Sequence, residues 1–389
     1  MGKISTYSVL STPTPNDKLI GTDATSNNET KNFLISDILS LAVGLGGTQY
    51  VFVAANGTNV QNAADLQAAY VTAQGMSPSI TNRITVIAAP GNYDFSTANF
   101  VMNTQYIDLV SLDGNRSIVF NGLNTIDITA NDVFVRGVDV GILTFTIANS
   151  LNLLRVENCK GGDDSFGSGT ASGTFTNCIG GNDSFGGNGG TASGTFNSCT
   201  GGDSSFGGQG TASGVFTNCT GGNFSFGSFG TASGTFTNCQ GTDDSFGAYA
   251  TASGTFNSCT GGDTSFGGQG TASGEFTSCI GLYFSFGGGN WASGTFTNCI
   301  GANYSFGGQL DADGVFNSCI GGDFSFGGDG GTASGTFNSC IGGNYSFGKG
   351  GVLNGFLYYC RLTLGTFQIV SGGGRTVLCI DGNKNQNNQ

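Results

Sequence analysis

Thiols and carboxylates recur along this chain at spacings that could do chemistry. Cysteines stand at 159, 178, 199, 219, 239, 259, 279, 299, 319, 340, 360 and 379, twelve in all and 19 to 21 residues apart. A zinc centre needs Cys-x-x-Cys or Cys/His groupings. The row has neither, and the chain has no histidine. Nor is the spacing that of an irregular disulfide framework. One cysteine per unit at one structural position predicts a stack of buried, reduced thiols that behave as small apolar groups.

The carboxylates to consider are Asp163, Asp164, Asp183, Asp203, Asp243, Asp244, Asp263 and Asp323. Two carboxylates about 5 to 9.5 Å apart can hydrolyse a glycosidic bond, and acids on neighbouring units of a stacked repeat could reach that separation. Asp, however, alternates with Asn at one repeat position, through Asp163, Asn182, Asp203, Asn223, Asp243, Asp263, Asn303, Asp323 and Asn344. A turn predicts that interchange, because both residues serve there equally. No Lys or Arg lies between Lys160 and Lys349, so acid–base chemistry has few candidates. No catalytic residue and no cofactor are nominated. Stacked carboxylates repel one another, and Ca2+ with oxygen ligands is the one ion kept as a hypothesis.

A third set is aromatic. The position just before each Ser-Phe-Gly reads Asp164, Asp183, Ser204, Phe224, Asp244, Thr264, Phe284, Tyr304, Phe324, Tyr345, so rings accumulate toward the C-terminal half. With Phe229, Tyr249, Tyr283 and Trp291 nearby they suggest an exposed stripe. Phe224, Phe284, Trp291, Tyr304, Phe324 and Tyr345 are the candidate contact residues, for packing on a neighbouring protomer or for stacking on a glycan.

The elements that must hold these residues follow from internal repetition. Thr211-Ala-Ser-Gly-Val-Phe-Thr-Asn-Cys219 returns twenty residues later as Thr231-Ala-Ser-Gly-Thr-Phe-Thr-Asn-Cys239, each followed by a Gly-rich segment ending in Ser-Phe-Gly. Alternation sends the Thr and Ser side chains to one face and Ala, Gly and Phe to the other, which becomes the core. Asn or Ser before each Cys, as at Asn177, Ser198, Asn218 and Asn238, predicts a bend that turns the Cys inward. A second short strand through Ser-Phe-Gly would carry the inward ladder from Phe166 to Phe347. The first strand carries the ladder from Phe175 to Phe337, with Phe356 one residue out of register. In the 21-residue units an extra glycine, at Gly189-Gly190 and Gly330-Gly331, enters a corner loop. The expected fold is an all-β, right-handed parallel β-helix (β-solenoid) with coils of about twenty residues. A nonapeptide calcium roll is rejected on its period of about nine.

Threonine arrays such as Thr174/Thr176, Thr235/Thr237 and Thr295/Thr297 resemble those of ice-binding solenoids. Val215, Glu275 and Val315 interrupt the face, and strand preference alone explains threonine.

Before the repeats, residues 50–54 and 83–88 read as strands around a helix at residues 63–74, which would cap the open first coil. Pro90-Gly91-Asn92-Tyr93 is read as turning the chain, and later runs as wider coils with aliphatic cores. Four regions result: 1–47 a leader and linker, 48–157 the cap and irregular coils, 158–350 the regular Phe/Cys repeats, and 351–389 C-terminal coils and a polar tail. The formal charge of −13 argues against nucleic acid and against a polybasic membrane contact. The first residues carry no apolar h-region, so signal-peptide export is not expected, and no run approaches a membrane span.

Asn56-Gly57-Thr58, Asn62-Ala-Ala-Asp-Leu-Gln-Ala-Ala-Tyr70 and Ala89-Pro90-Gly91-Asn92-Tyr93 together resemble the opening of pectin-lyase-like β-helices of bacteriophage fibres and tailspikes. The leader, Asn16-Asp-Lys-Leu-Ile-Gly-Thr-Asp23 and Thr30-Lys-Asn-Phe33, is similar to N-terminal attachment segments of phage fibre proteins. The resemblance implies a virion appendage, assembled in the host cytoplasm. Its N-terminal segment would dock on other virion proteins, and its rod, commonly a homotrimer, would face a host-surface glycan. A polysaccharide-degrading tailspike and a non-viral β-solenoid adhesin are the alternatives.

Overall fold

The computed structural model describes residues 18–23, 29–34, 48–167, 169–187, 189–348, 352–363, 375–381 and 386–387. Side chains at 18–23, 29–34, 48, 386 and 387 are not among those described. The chain is a right-handed parallel β-solenoid whose principal sheet has 16 strands, from Thr48–Val53 to Arg375–Val377.

In the leader, β1 (Lys18–Asp23) and β2 (Glu29–Leu34) form an antiparallel pair. The rest of residues 1–47 lies outside the described residues, as does most of the polar tail. The principal sheet starts with β3 (Thr48–Val53), which pairs in parallel with β4 (Arg83–Ala88). Between them runs α1 (Asn59–Gly75). Thr58 caps it, its Oγ1 accepting from the Gln61 amide at 3.2 Å. Leu66, Ala69, Tyr70 and Ala73 pack into the same core as the first coils, so the helix covers apolar surface that an uncapped solenoid end exposes.

The reading of residues 90–93 as a turn is corrected. Only Pro90 sits at a bend, and Gly91–Asp94 continues as a strand, β5. Tyr93 is buried there, its hydroxyl donating to the Ala89 carbonyl at 2.6 Å. At the front of the rod Arg83 bridges Asp108 and Asp132 at 2.7 Å each, joining three coils.

From residue 158 each coil repeats the same path. Strands such as Thr235–Thr237 and Thr255–Asn257 stack in register, Phe236 on Phe256, with the flanking residues outward. The next residue, Asn or Ser, is left-handed: φ is 53° at Asn177 and Ser198 and 54° at Asn218. That twist breaks the alternation and turns each Cys inward, and all twelve cysteines are buried with no disulfide among them. From Cys199 to Cys360 each thiol donates to the carbonyl of a Phe one coil earlier, as Cys259 does to Phe236 at 3.4 Å, while Cys159 and Cys178 donate to Val135 and Val156. Burial pushes the Cys199 thiol well above its ordinary value, keeping it neutral.

The Ser-Phe-Gly segment departs from expectation. It is a turn, not a second strand, and its Phe is itself left-handed, with φ 53° at Phe206 and 54° at Phe226. A left-handed L-residue costs about 1 to 2 kcal/mol. Complete burial of the ring, about 1.5 to 3 kcal/mol, and a parallel neighbour on each side, about 0.5 to 1.5 each, outweigh it. Phe206 and Phe226 stack at 4.9 Å and 3°, and the whole ladder meets the strand ladder edge to face, as Phe226 meets Phe236 at 5.9 Å and 89°. Phe145 adds one ring at the front of this ladder, and Leu357 takes the inward place beside exposed Phe356.

Geometry dictates glycine at several positions of each coil, and two of them show the reasons. Gly207, at φ 72°, follows the left-handed Phe and allows the turn to close, and a Cβ on Gly214 would run into the carbonyl oxygen of Gly194 one coil below. The extra Gly189 and Gly330 are left-handed and face open space, which is how the corner absorbs one more residue.

Candidate functional site

The carboxylate row is built into the backbone. Asp163 Oδ1 accepts from the Asn182 amide at 2.7 Å, Asn182 Oδ1 from the Asp203 amide at 2.9 Å, and Asp203 Oδ1 from the Asn223 amide at 2.8 Å. The pattern resumes through Asp243 to Asp263 and through Asn303 and Asp323 to Asn344. Each side-chain oxygen therefore caps the same position one coil later. Asp and Asn interchange because the cap needs only an acceptor oxygen, and the side chain of one coil lies over the glycine before the next cap. Among the described residues no group of three or more His, Cys, Asp or Glu is placed to hold a metal ion. Asp183 is different. Its Oδ1 is buried without a hydrogen-bond partner, and burial first, then Asp164, Asp163 and Asp203, raise its pKa.

The aromatic residues form two clusters and one outlier. Phe224 stacks on Phe229 at 5.5 Å, and Phe229 on Tyr249 at 4.8 Å and 6°. Three coils beyond Phe224, the rings of Phe284, Tyr304, Phe324 and Tyr345 make one continuous stack, with centroids 5.1, 4.9 and 5.0 Å apart and interplanar angles of 10°, 8° and 4°. Trp291 replaces the Thr of the Thr-Ala-Ser strand, is 51 % exposed, and joins neither cluster. Phe284, Tyr304 and Phe324 are half-buried, and Tyr345 is exposed.

Ring orientation limits what the ladder can do. Rings stacked along the rod cover one another's faces and offer only their edges outward, so Tyr304 and Phe324 have no free face for a sugar. Their own conformation is also costly. All four residues are left-handed, with φ of 55° to 56°, where the Asp and Ser of earlier coils sit more easily. Ring stacking compensates, but the turn does not require it.

A second feature appears beside the ladder. The residue after each Cys forms a continuous column of bridges that reads Lys160, Ile179, Thr200, Thr220, Gln240, Thr260, Ile280, Ile300, Ile320, Ile341. Ile280, Ile300 and Ile320 are 41 %, 43 % and 42 % exposed. After Ile179 the column is hydroxyl and amide from Thr200 to Thr260, and its change to unbroken isoleucine falls in the coils where the aromatic ladder begins, with exposed Leu282 and Tyr283 between the two rows. The column is written in the sequence, but an outward position carries no core periodicity to mark it out. The outward threonine columns, by contrast, are broken by Val215, Glu275 and Val315 in register.

The ladder also has an end. One coil before Phe284 stands Thr264, and a cleft of about 420 Å3 is lined there by Thr264, Gln269, Tyr283, Phe284, Gly289 and Gln309. Among the described residues no helix is long and apolar enough to cross a membrane. Compared with known proteins, the chain matches no family model, no curated protein and no solved structure.

Proposed function

We propose that this protein is a structural and binding subunit of a phage-type appendage, a fibre or spike. In this reading its β-solenoid is a stiff shaft, and the coils from 280 to 345 contact further copies of the chain in a homotrimer through the isoleucine column and the ring edges beside it. The one observation that carries the reading is the change of outer surface at residue 280. The inward Phe, Cys and Ala columns continue unaltered across it, so the fold needs no isoleucine or aromatic there, yet both appear together on adjoining columns. An exposed apolar strip on a chain of net charge −13 is a surface that gains from being covered. The appendage identity and attachment through residues 1–47 rest on the resemblance of the leader and first coils alone. A polysaccharide-degrading spike is the reading that competes with it.

The test is the mass of the full-length protein in solution by light scattering, with a triple variant Ile280→Thr, Ile300→Thr, Ile320→Thr beside it, and digestion of a panel of bacterial surface polysaccharides. Threonine occupies this column at 200, 220 and 260, so the variant keeps the coil. A trimer that the variant reduces to monomer supports the proposal. A wild-type monomer overturns the self-association, and reproducible cleavage overturns the non-enzymatic reading.

A further inference from the structure

We infer that the cleft at the start of the aromatic ladder is a binding site for a neutral pyranose sugar, with the ring of Phe284 as its platform. The argument begins from the faces of the stack. Tyr304 covers one face of Phe284 at 5.1 Å and 10°. The other points toward the preceding coil, where Thr264 holds the ladder position and supplies no ring. Tyr283 does not cover that face. It stands 4.5 Å from Phe284 at 65° and 5.6 Å from Tyr304 at 74°, which puts it beside both rings as a wall.

The opening exists because of one residue. The third position after the inward Phe is Gln209, Phe229, Tyr249, Gln269, Gly289, Gln309 and Asp329 in successive coils. Among these seven coils only Gly289 lacks a side chain there, and a Cβ built on it would stand 3.6 Å from Phe284 Cδ1. The gap therefore opens onto the ring, flanked by the exposed amides of Gln269 and Gln309 from the coils before and after. It lies across the aromatic corner from the isoleucine column, since along each coil Ile precedes the corner and this position follows it.

The chemistry of the lining selects the ligand. One free aromatic face suits the C–H face of a pyranose. Two amides, the Tyr283 hydroxyl and the Thr264 hydroxyl supply donors and acceptors for ring hydroxyls, the mix of apolar floor and few polar groups typical of small-ligand sites. No charged residue lines the cleft, and no Lys or Arg lies between 160 and 349 to hold a carboxylate or sulfate. Asp263, whose Oδ1 accepts from the Tyr283 amide at 3.0 Å, and Asp244 behind Thr264 oppose an anionic sugar.

The experiment is saturation-transfer NMR and titration on the full chain with methyl glucopyranoside, methyl galactopyranoside and methyl mannopyranoside, and with choline chloride as the alternative ring-face ligand. Two variants are read alongside. Phe284→Ser removes the platform, and Ser204 shows that the left-handed position accepts serine. Gly289→Gln fills the opening with the residue that Gln269 and Gln309 already place there. At least one pyranoside is expected to bind through its ring C–H protons, each variant weakening it about tenfold or more without lowering the melting temperature. No binding by any of the three, equal binding to both variants, or choline in preference to the sugars overturns the inference. Light scattering reports separately on the trimer, so the failure of either proposal leaves the other standing.

Discussion

Replacing Phe256 with alanine removes one ring from the middle of the strand ladder, and its cost can be worked from the neighbours. Phe256 is fully buried between Phe236 and Phe276, each 4.8 Å away and within 3° of parallel, and it meets Phe246 and Phe266 edge to face at 6.0 and 5.7 Å. Phe→Ala changes in cores cost about 3 to 5 kcal/mol, more where the site cannot collapse. Collapse is blocked here, because in-register pairing on both sides fixes the coil spacing. A loss near 5 kcal/mol is therefore expected, measured as the change in midpoint of guanidinium unfolding with the slope unchanged. Thr255→Ala, at the outward neighbour, should stay within about 0.5 kcal/mol. Hydrogen exchange should place the weakening in the coils touching residue 256, since each repeat contacts only its neighbours. A loss under about 1.5 kcal/mol, or one no larger than that of Thr255→Ala, would refute the rigid ring stack, because a cavity lined by four rings cannot cost so little.

Three further outcomes follow from the same geometry. Asp203→Ala should cost about 1 kcal/mol by leaving the Asn223 amide without its cap, whereas Asp203→Asn should be near neutral; equal melting of the two variants would show that the cap contributes nothing. Because the folded state raises the Asp183 carboxyl, its favourable contribution is present at low pH and lost as pH rises through the folded value. Asp183→Asn should therefore melt above wild type at pH 7, with the difference shrinking as the pH is lowered through the carboxylate range; a gap that stays constant or widens in acid would contradict the assignment. The twelve buried thiols should be silent to a thiol reagent in the native protein and all react in denaturant, and rapid native labelling of several would mean the core column is open.

The repeat was legible in the sequence because its information is local. Alternation in Thr-Phe-Thr, Asn or Ser before Cys, and a period near twenty specify which side chains face inward, and stacking identical coils multiplies one correct choice along the rod. A helix at 63–74 was legible from its apolar spacing, though not its first turn from Asn59, and the strand at Gly91–Asp94 was hidden behind the bend at Pro90. What the sequence could not decide is the conformation of Ser-Phe-Gly. A strand and a left-handed turn both point Phe inward, and the choice is made by packing against the ladder of other coils, which overrides the local preference of a bulky residue. The same holds for the candidate site. The aromatic positions and the glycine at 289 are visible in the chain, but the occupation of each ring face depends on residues about twenty positions away. Only the stacked coils decide that Tyr304 is covered, that Phe284 keeps one open face, and that the Asp/Asn row serves the backbone of the next coil.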